Sequence, residues 1–168
     1  MANLLTSADF IDDCQLSIST IAEVQTAFTA FLGKIEAEFL RKVLGIKLYD
    51  AFKTAWAANP TTGVWFELIN GGNYNEDESY FEGLKTALIY YAYFHYRRNK
   101  DSIAVVNGNV KGKQDHADSI SIIDKLVNAN NRCLEICSKL EVYCFDVAEF
   151  SELKYTKPFE KLWNSFGI

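Results

Sequence analysis

Apolar side chains recur at steps of three and four through Ile21, Val24, Phe28, Phe31, Ile35, Phe39 and Val43, which lines one face of a long helix. Thr20 followed by Glu23 reads as a capping box that supplies partners for the free N–H groups at the start of that helix. Gly45 follows the last periodic position, where a residue without Cβ takes positive φ and ends the helix. The period resumes at once with Leu48, Phe52 and Trp56 (or Ala55), so residues 18–53 predict two helices meeting at a sharp corner. The corner is architectural and carries no chemistry.

Upstream, residues 6–15 read as a short helix with Thr6 as cap, Asp9 in the first turn, and Phe10 with Ile11 as anchor. The first 24 residues hold four acids and no base, which suits either a docking arm or an ordinary surface helix. Downstream, Asn59 before Pro60 breaks the corner helix, because a residue preceding proline is pushed out of the α region. Thr61 or Thr62 caps a short helix carrying Trp65, Leu68 and Ile69, and Gly71 with Gly72 ends it. Residues 73–79 form a polar, acidic, solvated turn. Ser79 and Glu82 repeat the capping-box pattern and open a helix over 80–99 that is apolar nearly all round. Leu84, Ala87, Leu88, Tyr91 and His95 share one of its faces, while Ile89, Tyr90, Tyr93, Phe94 and Tyr96 occupy others. So little polar surface places a helix at the centre of a bundle or at a subunit contact.

The helical period lapses over residues 99–119. A β-branched run, Ile103 with Val105 and Val106, leads into Asn107–Gly108 and then Val110, the pattern of a β-hairpin. Residues 97–113 hold five bases against one acid, a local charge of +4 in a chain of net charge -5. A lone ribbon is barely stable in water, so it must lie on the helices or find a partner. Ile103, Val105, Val106, Asn107, Gly108, Val110, Lys111 and Lys113 are therefore interface candidates. Asp118 or Ser119 caps a long helix reaching residue 150, with Ile123, Val127, Leu134, Cys137, Leu140, Cys144 and Val147 as its stripe. Thr156 and Pro158 start a short terminal helix on which Phe159, Leu162, Trp163 and Phe166 share a face, a second set of interface candidates. The pattern predicts an all-α fold: a compact bundle of about five or six helices, a projecting β-hairpin or loop near residues 101–115, and a short C-terminal helix. The whole chain, 1–168, reads as one domain, with 100–117 protruding and 155–168 as a docking helix.

Composition supports that reading. A 168-residue chain that is 49% hydrophobic can bury a real core, and two prolines leave room for long helices. An acidic balance argues against a generic nucleic-acid binder, whose affinity for phosphate rests on Lys and Arg. The opening MANLLTSADF has no basic n-region, and Cys14, Cys133, Cys137 and Cys144 form no CxxC pair, so synthesis in a reducing, intracellular compartment is expected. The apolar run 87–94 is far shorter than the ~20 residues of a spanning helix.

Candidate chemistry is sparse. Cys133, Cys137 and Cys144 can share a helix face, yet with no further ligand they read as small buried hydrophobes. His95 reads as a packing residue, since no nucleophile or orienting acid stands at a recognisable spacing. His116 beside Asp115 and Asp118 is either a ligand group or a polar loop ending in an N-cap. Glu36 and Glu38, like Asp12 and Asp13, are not spaced to make a two-carboxylate helix face. The glycines fit no phosphate-binding pattern. No catalytic, cofactor-binding or metal residue is assigned, and no enzyme is expected.

Several segments taken together carry a resemblance: LLTSADF, IEAEFLRKVLGIKLYDAF, VWFELINGGNY and FEGLKTALIYYAYFHYRRN with a Gly-containing loop behind it. Their order resembles the head–tail connector (adaptor, or head-completion) proteins of tailed bacteriophages, in the version found in phages of Bacteroides-type hosts. Phe39, Leu44, Gly45, Leu48 and Tyr49 match that family's helical corner. Trp65, Leu68, Gly71 and Tyr74 match its second cluster, and Gly83, Leu84, Tyr90, Tyr91, Tyr93 and Tyr96 its aromatic helix. The likeness covers about residues 4–112 and has no counterpart for the helix at 158–166, which leaves the tail-side contact open. The resemblance implies a non-enzymatic virion protein without cofactor, forming a ring with itself, commonly of twelve copies, at the portal vertex in the neck of the particle. Its implied partners are the portal protein, tail or further connector proteins, and DNA passing through the channel without sequence-specific binding. No membrane is involved. A helical interaction or regulatory module outside any particle is the alternative.

Overall fold

The computed structural model describes residues 3–58, 60–74, 79–106, 116–145, 147 and 150, with the backbone alone at 100–106 and 116–122. Two 3-10 turns, Ser7–Asp9 and Asp12–Cys14, precede α1 (Ala22–Trp56) and α2 (Val64–Asn70). A hairpin of β1 (Gly72–Tyr74) and β2 (Ser79–Phe81) follows, then α3 (Leu84–Val106) and α4 (His116–Phe145). The fold is an all-α bundle of four helices with a small β-hairpin near the middle of the chain.

The expected corner is present inside α1. Gly45 has φ 74° and ψ 167°, outside the helical region, so the helix changes direction there. Phe28, Ile35, Phe39 and Val43 of the first arm and Tyr49 and Phe52 of the second are buried, while Ile21, at the start of the predicted stripe, is exposed. The capping box at Thr20 does not form. Ile21 is the N-cap, so Thr20 sits one position too early for its hydroxyl to reach the first helical N–H groups. Ser19 serves instead, its Oγ accepting from the Ile21 N–H at 3.3 Å and its carbonyl oxygen from Gln25 Nε2 at 2.8 Å. A reciprocal bond does form at Thr6, whose N–H and hydroxyl donate to Asp9 Oδ2 at 2.7 and 2.9 Å. The predicted helix over 6–15 is reduced to the two 3-10 turns, with Phe10 and Cys14 buried between them and the core.

α2 buries Leu68 and Ile69 as expected, but its N-cap is Gly63 rather than Thr61 or Thr62. The segment read as a solvated turn instead pairs its flanks, Gly72 with Phe81, Asn73 with Tyr80 and Tyr74 with Ser79. Ser79 therefore caps nothing, and α3 opens five residues later at Leu84. Glu82 is engaged elsewhere: its carboxylate accepts from Arg132 at 2.8 Å and Lys139 at 3.2 Å, both on α4.

α3 is central, touching α1, α2, α4 and the second 3-10 turn, and it buries Leu84, Ala87, Leu88, Tyr91, Ala92 and Tyr93. It runs to Val106, well past the predicted end, so the backbone at Ile103, Val105 and Val106 is helical and not the first strand of a ribbon. β-branched residues disfavour a helix by only a few tenths of a kcal/mol each, too little to stop one already under way. The described hairpin lies at 72–81, and residues 101–106 are helical. Asn107, Gly108, Val110, Lys111 and Lys113 lie outside the described residues, as do Phe159, Leu162, Trp163 and Phe166.

α4 is helical from His116, so the backbone at Asp118 and Ser119 is inside the helix and not at its N-cap position. Its core face is Ala129, Cys133, Ile136, Cys137, Leu140, Tyr143 and Cys144, which keeps Cys137, Leu140 and Cys144 of the predicted stripe but leaves Ile123 exposed. The helix ends at Phe145, short of the predicted residue 150. Phe150 then returns to the core, its ring edge-on to Trp65 at 5.0 Å.

Candidate functional site

Four places on this bundle gather side chains beyond ordinary packing. The first is Glu36, a carboxylate only 5% exposed inside the first arm of α1. Its Oε2 accepts the Leu4 N–H at 2.6 Å, and the Leu5 N–H bonds it as well. Asn3 Nδ2 donates to the Thr29 carbonyl at 3.0 Å, Lys85 pairs with Asp9 at 2.8 Å, and Phe10 packs edge-on to Phe28 at 5.6 Å. The N-terminal arm is thus pinned to α1 through backbone hydrogen bonds and a ring contact, and to α3 through the Lys85–Asp9 pair. Glu36→Ala leaves two buried N–H donors unsatisfied and should lose about 2–4 kcal/mol. Glu36→Gln keeps an acceptor and should lose much less. Burial raises the Glu36 pKa, against the two backbone N–H donors that lower it. The folded state therefore binds the proton more readily than the unfolded chain, and wild-type stability should rise as pH falls through the folded pKa towards 4.5. The Gln variant lacks that gain. Urea unfolding of the three proteins near pH 7 and near pH 5 checks both points, and equal pH responses of wild type and Glu36→Gln would remove the assignment.

The second place is a polar cluster where α1 meets α3. Lys42 Nζ donates to Glu38 Oε1 at 2.7 Å and to Tyr91 Oη at 3.3 Å, and the Tyr91 hydroxyl donates to Glu38 Oε1 at 3.1 Å. The His95 ring lies 4.3 Å from the Tyr91 ring, centroid to centroid, and burial lowers its pKa. His95 is a half-buried packing residue in this setting, as its surroundings in the sequence suggest.

The third is apolar surface left in water. Phe145 is 89% exposed, Val142 53% and Ile123 45%, all on the side of α4 turned away from its core face. Ile46, directly after the Gly45 corner, is 74% exposed. The sequence reading assigned Ile123 to the core and did not single out the others.

The fourth is a pair of recesses along the junction of α3, α4 and the segment after the second 3-10 turn. One, of about 640 Å³, is lined by Asp13, Tyr90, Asn128, Asn131, Arg132 and Glu135 among others. The other, of about 210 Å³, is lined by Gln15, Leu16, Ser17, Tyr93, Tyr96 and Arg97. Lys125 belongs to both.

All four cysteines are free and buried. Burial pushes the Cys14 and Cys144 thiols up to about 12, and a hydrogen bond with Cys137, together with burial, pushes Cys133 up as well. They are thiols at neutral pH, not thiolates. Among the described residues no group of three or more His, Cys, Asp and Glu side chains is placed to hold a metal ion, and no helix is long and apolar enough to cross a membrane. Of the interface candidates, Ile103, Val105 and Val106 fall on the last turn and a half of α3.

The fold is an all-α bundle with a small mid-chain hairpin. The chain belongs to the family of unknown function DUF6712, which matches residues 40–133, from the first arm of α1 into the middle of α4. No curated protein and no solved structure matches it.

Proposed function

We propose that this chain is a non-enzymatic structural protein of a tailed-phage virion, forming a ring between portal and tail that completes the head and continues the DNA channel. The observation that carries the reading is the outer side of α4, where Val142 and Phe145 stand exposed at i and i+3 near the helix end, with Ile123 exposed nearer its start. Single exposed apolar residues are ordinary, but several along one helix side mark a contact surface. Burying a Val or Phe side chain contributes about 1.5–3 kcal/mol, and in a closed ring every copy both gives and receives the contact. The connector-like order of segments in the sequence supplies the setting: copies of itself, commonly twelve, with portal protein, tail or further connector proteins, and DNA in the channel as partners. The 107–113 stretch and the Phe159, Leu162, Trp163 and Phe166 stripe are further docking elements in this reading.

The test is the particle. Mass spectrometry of purified virions should detect the chain at a few to a dozen copies, and cryo-electron microscopy should place it at the neck. A protein absent from virions, and recovered instead with a soluble partner from infected cells, would make it an interaction or regulatory module. Finding it in the capsid shell would remove the ring.

A further inference from the structure

We propose that the recess between α3, α4 and residues 15–17 is a receptor for an acidic side chain on an extended peptide segment of a partner protein. Arg97 comes from α3 and Lys125 from α4, so the bundle brings to one recess two cations that lie far apart in the chain. The nearby bases are already committed. Arg132 bonds Glu82 and Glu135, each at 2.8 Å, Lys139 bonds Glu82 at 3.2 Å, and Lys85 bonds Asp9 at 2.8 Å. Arg97 and Lys125 form no ion pair among the described residues. With the Gln15 amide and the Ser17 hydroxyl beside them, they present donors to a carboxylate, the group that a guanidinium fork and an ammonium bind with charge-assisted hydrogen bonds.

The surroundings select the kind of anion. Leu16 and the tyrosines of α3 give the recess an apolar wall that suits the methylene stem of Glu or Asp. Lys125 also lines the larger cavity, where Asn128 can meet the N–H and C=O groups of a peptide backbone. Asp13 and Glu135 also line that cavity, so a ligand with unbroken negative charge, such as a nucleic-acid backbone or a polyphosphate, meets repulsion there. One carboxylate on an otherwise uncharged strand fits both halves. This assignment is independent of whether the chain sits in a particle.

The experiment is a chemical-shift titration of the full chain with a short uncharged peptide carrying one central glutamate, beside its glutamine counterpart and inorganic phosphate. The glutamate peptide should shift the amides of Ser17, Arg97 and Lys125 and bind at least about ten-fold more tightly than the glutamine peptide. Arg97→Gln with Lys125→Gln should abolish that preference, while circular dichroism and the melting temperature stay near wild type. Lys53→Gln, on the far arm of α1, should change nothing. Equal binding of the two peptides, or an unchanged preference in the double variant, overturns the proposal. Phosphate binding as tightly as the glutamate peptide overturns it too, in favour of a free-anion pocket.

Discussion

Gly83→Ala should leave little folded protein. Gly83 has φ 84°, and a Cβ built there stands 2.4 Å from the Ile69 carbonyl oxygen, 2.5 Å from the Gly71 nitrogen and 2.6 Å from the Asn70 carbonyl carbon. All three are backbone atoms at the end of α2, so no side chain can rotate aside to make room. The left-handed conformation alone costs an alanine about 1–2 kcal/mol. The larger penalty comes from forcing α2 away from the start of α3, where Leu68, Ile69, Phe81 and Leu84 are fully buried. The loss should exceed about 4 kcal/mol, a large part of the 5–15 kcal/mol that holds an ordinary domain together. Gly63→Ala is the control. Its φ of 92° is just as unusual, but nothing lies within 4 Å of the added Cβ, so only the backbone penalty applies. Urea unfolding of both variants separates the terms. Equal losses would mean that the close approach of α2 to Gly83 relaxes at no cost.

That interlock was only half legible in the sequence. Gly71 was readable as a helix end, and the Gly45 corner as a break between two apolar periods, because each glycine punctuates a strong local pattern. Gly83 carried no such signal, since its constraint comes from α2, which packs on it from outside the local pattern. The hairpin escaped for a related reason: strands of three residues, Gly72–Tyr74 and Ser79–Phe81, are too short to show an alternation. Glu82 looked like a capping partner for Ser79 until the fold offered it Arg132 and Lys139, whose charges outbid a neutral hydroxyl and N–H. On α4 the ambiguity was intrinsic. Ile123 of the predicted stripe is exposed while its Cys137, Leu140 and Cys144 are buried beside Ala129, Cys133 and Ile136, and both groupings obey the three-and-four spacing. Spacing alone cannot say which side meets the core. The small residues Ala129 and Cys133 are on the buried side of α4, which packs against α3. The candidate site was the least legible part. Arg97 entered the sequence reading only as part of a basic stretch and Lys125 not at all, and their meeting is a product of the α3–α4 packing.

The same ambiguity makes the outer side of α4 the most informative place to mutate. Val142→Asp combined with Phe145→Asp should leave the bundle folded yet abolish incorporation into particles. Both side chains already face water, so each substitution should change stability by no more than about 0.5 kcal/mol. In a ring contact the same aspartates bring unpaired charges into an apolar interface, at several kcal/mol for each copy. Tyr143 stands between them on the helix but points inward, 1% exposed, with its ring stacked on Phe81 at 4.9 Å. Tyr143→Ala should therefore cost about 3–5 kcal/mol and reduce incorporation only by unfolding the protein. Melting temperature and particle content, measured on the two variants side by side, distinguish a contact face from a core face. An apolar contact also predicts that incorporation of wild-type protein holds up in high salt, whereas docking through Lys111 and Lys113 weakens once charges are screened over about 8 Å or less. If the double aspartate variant enters particles at the wild-type level, the outer side of α4 is ordinary surface, and the ring reading loses the observation that carries it.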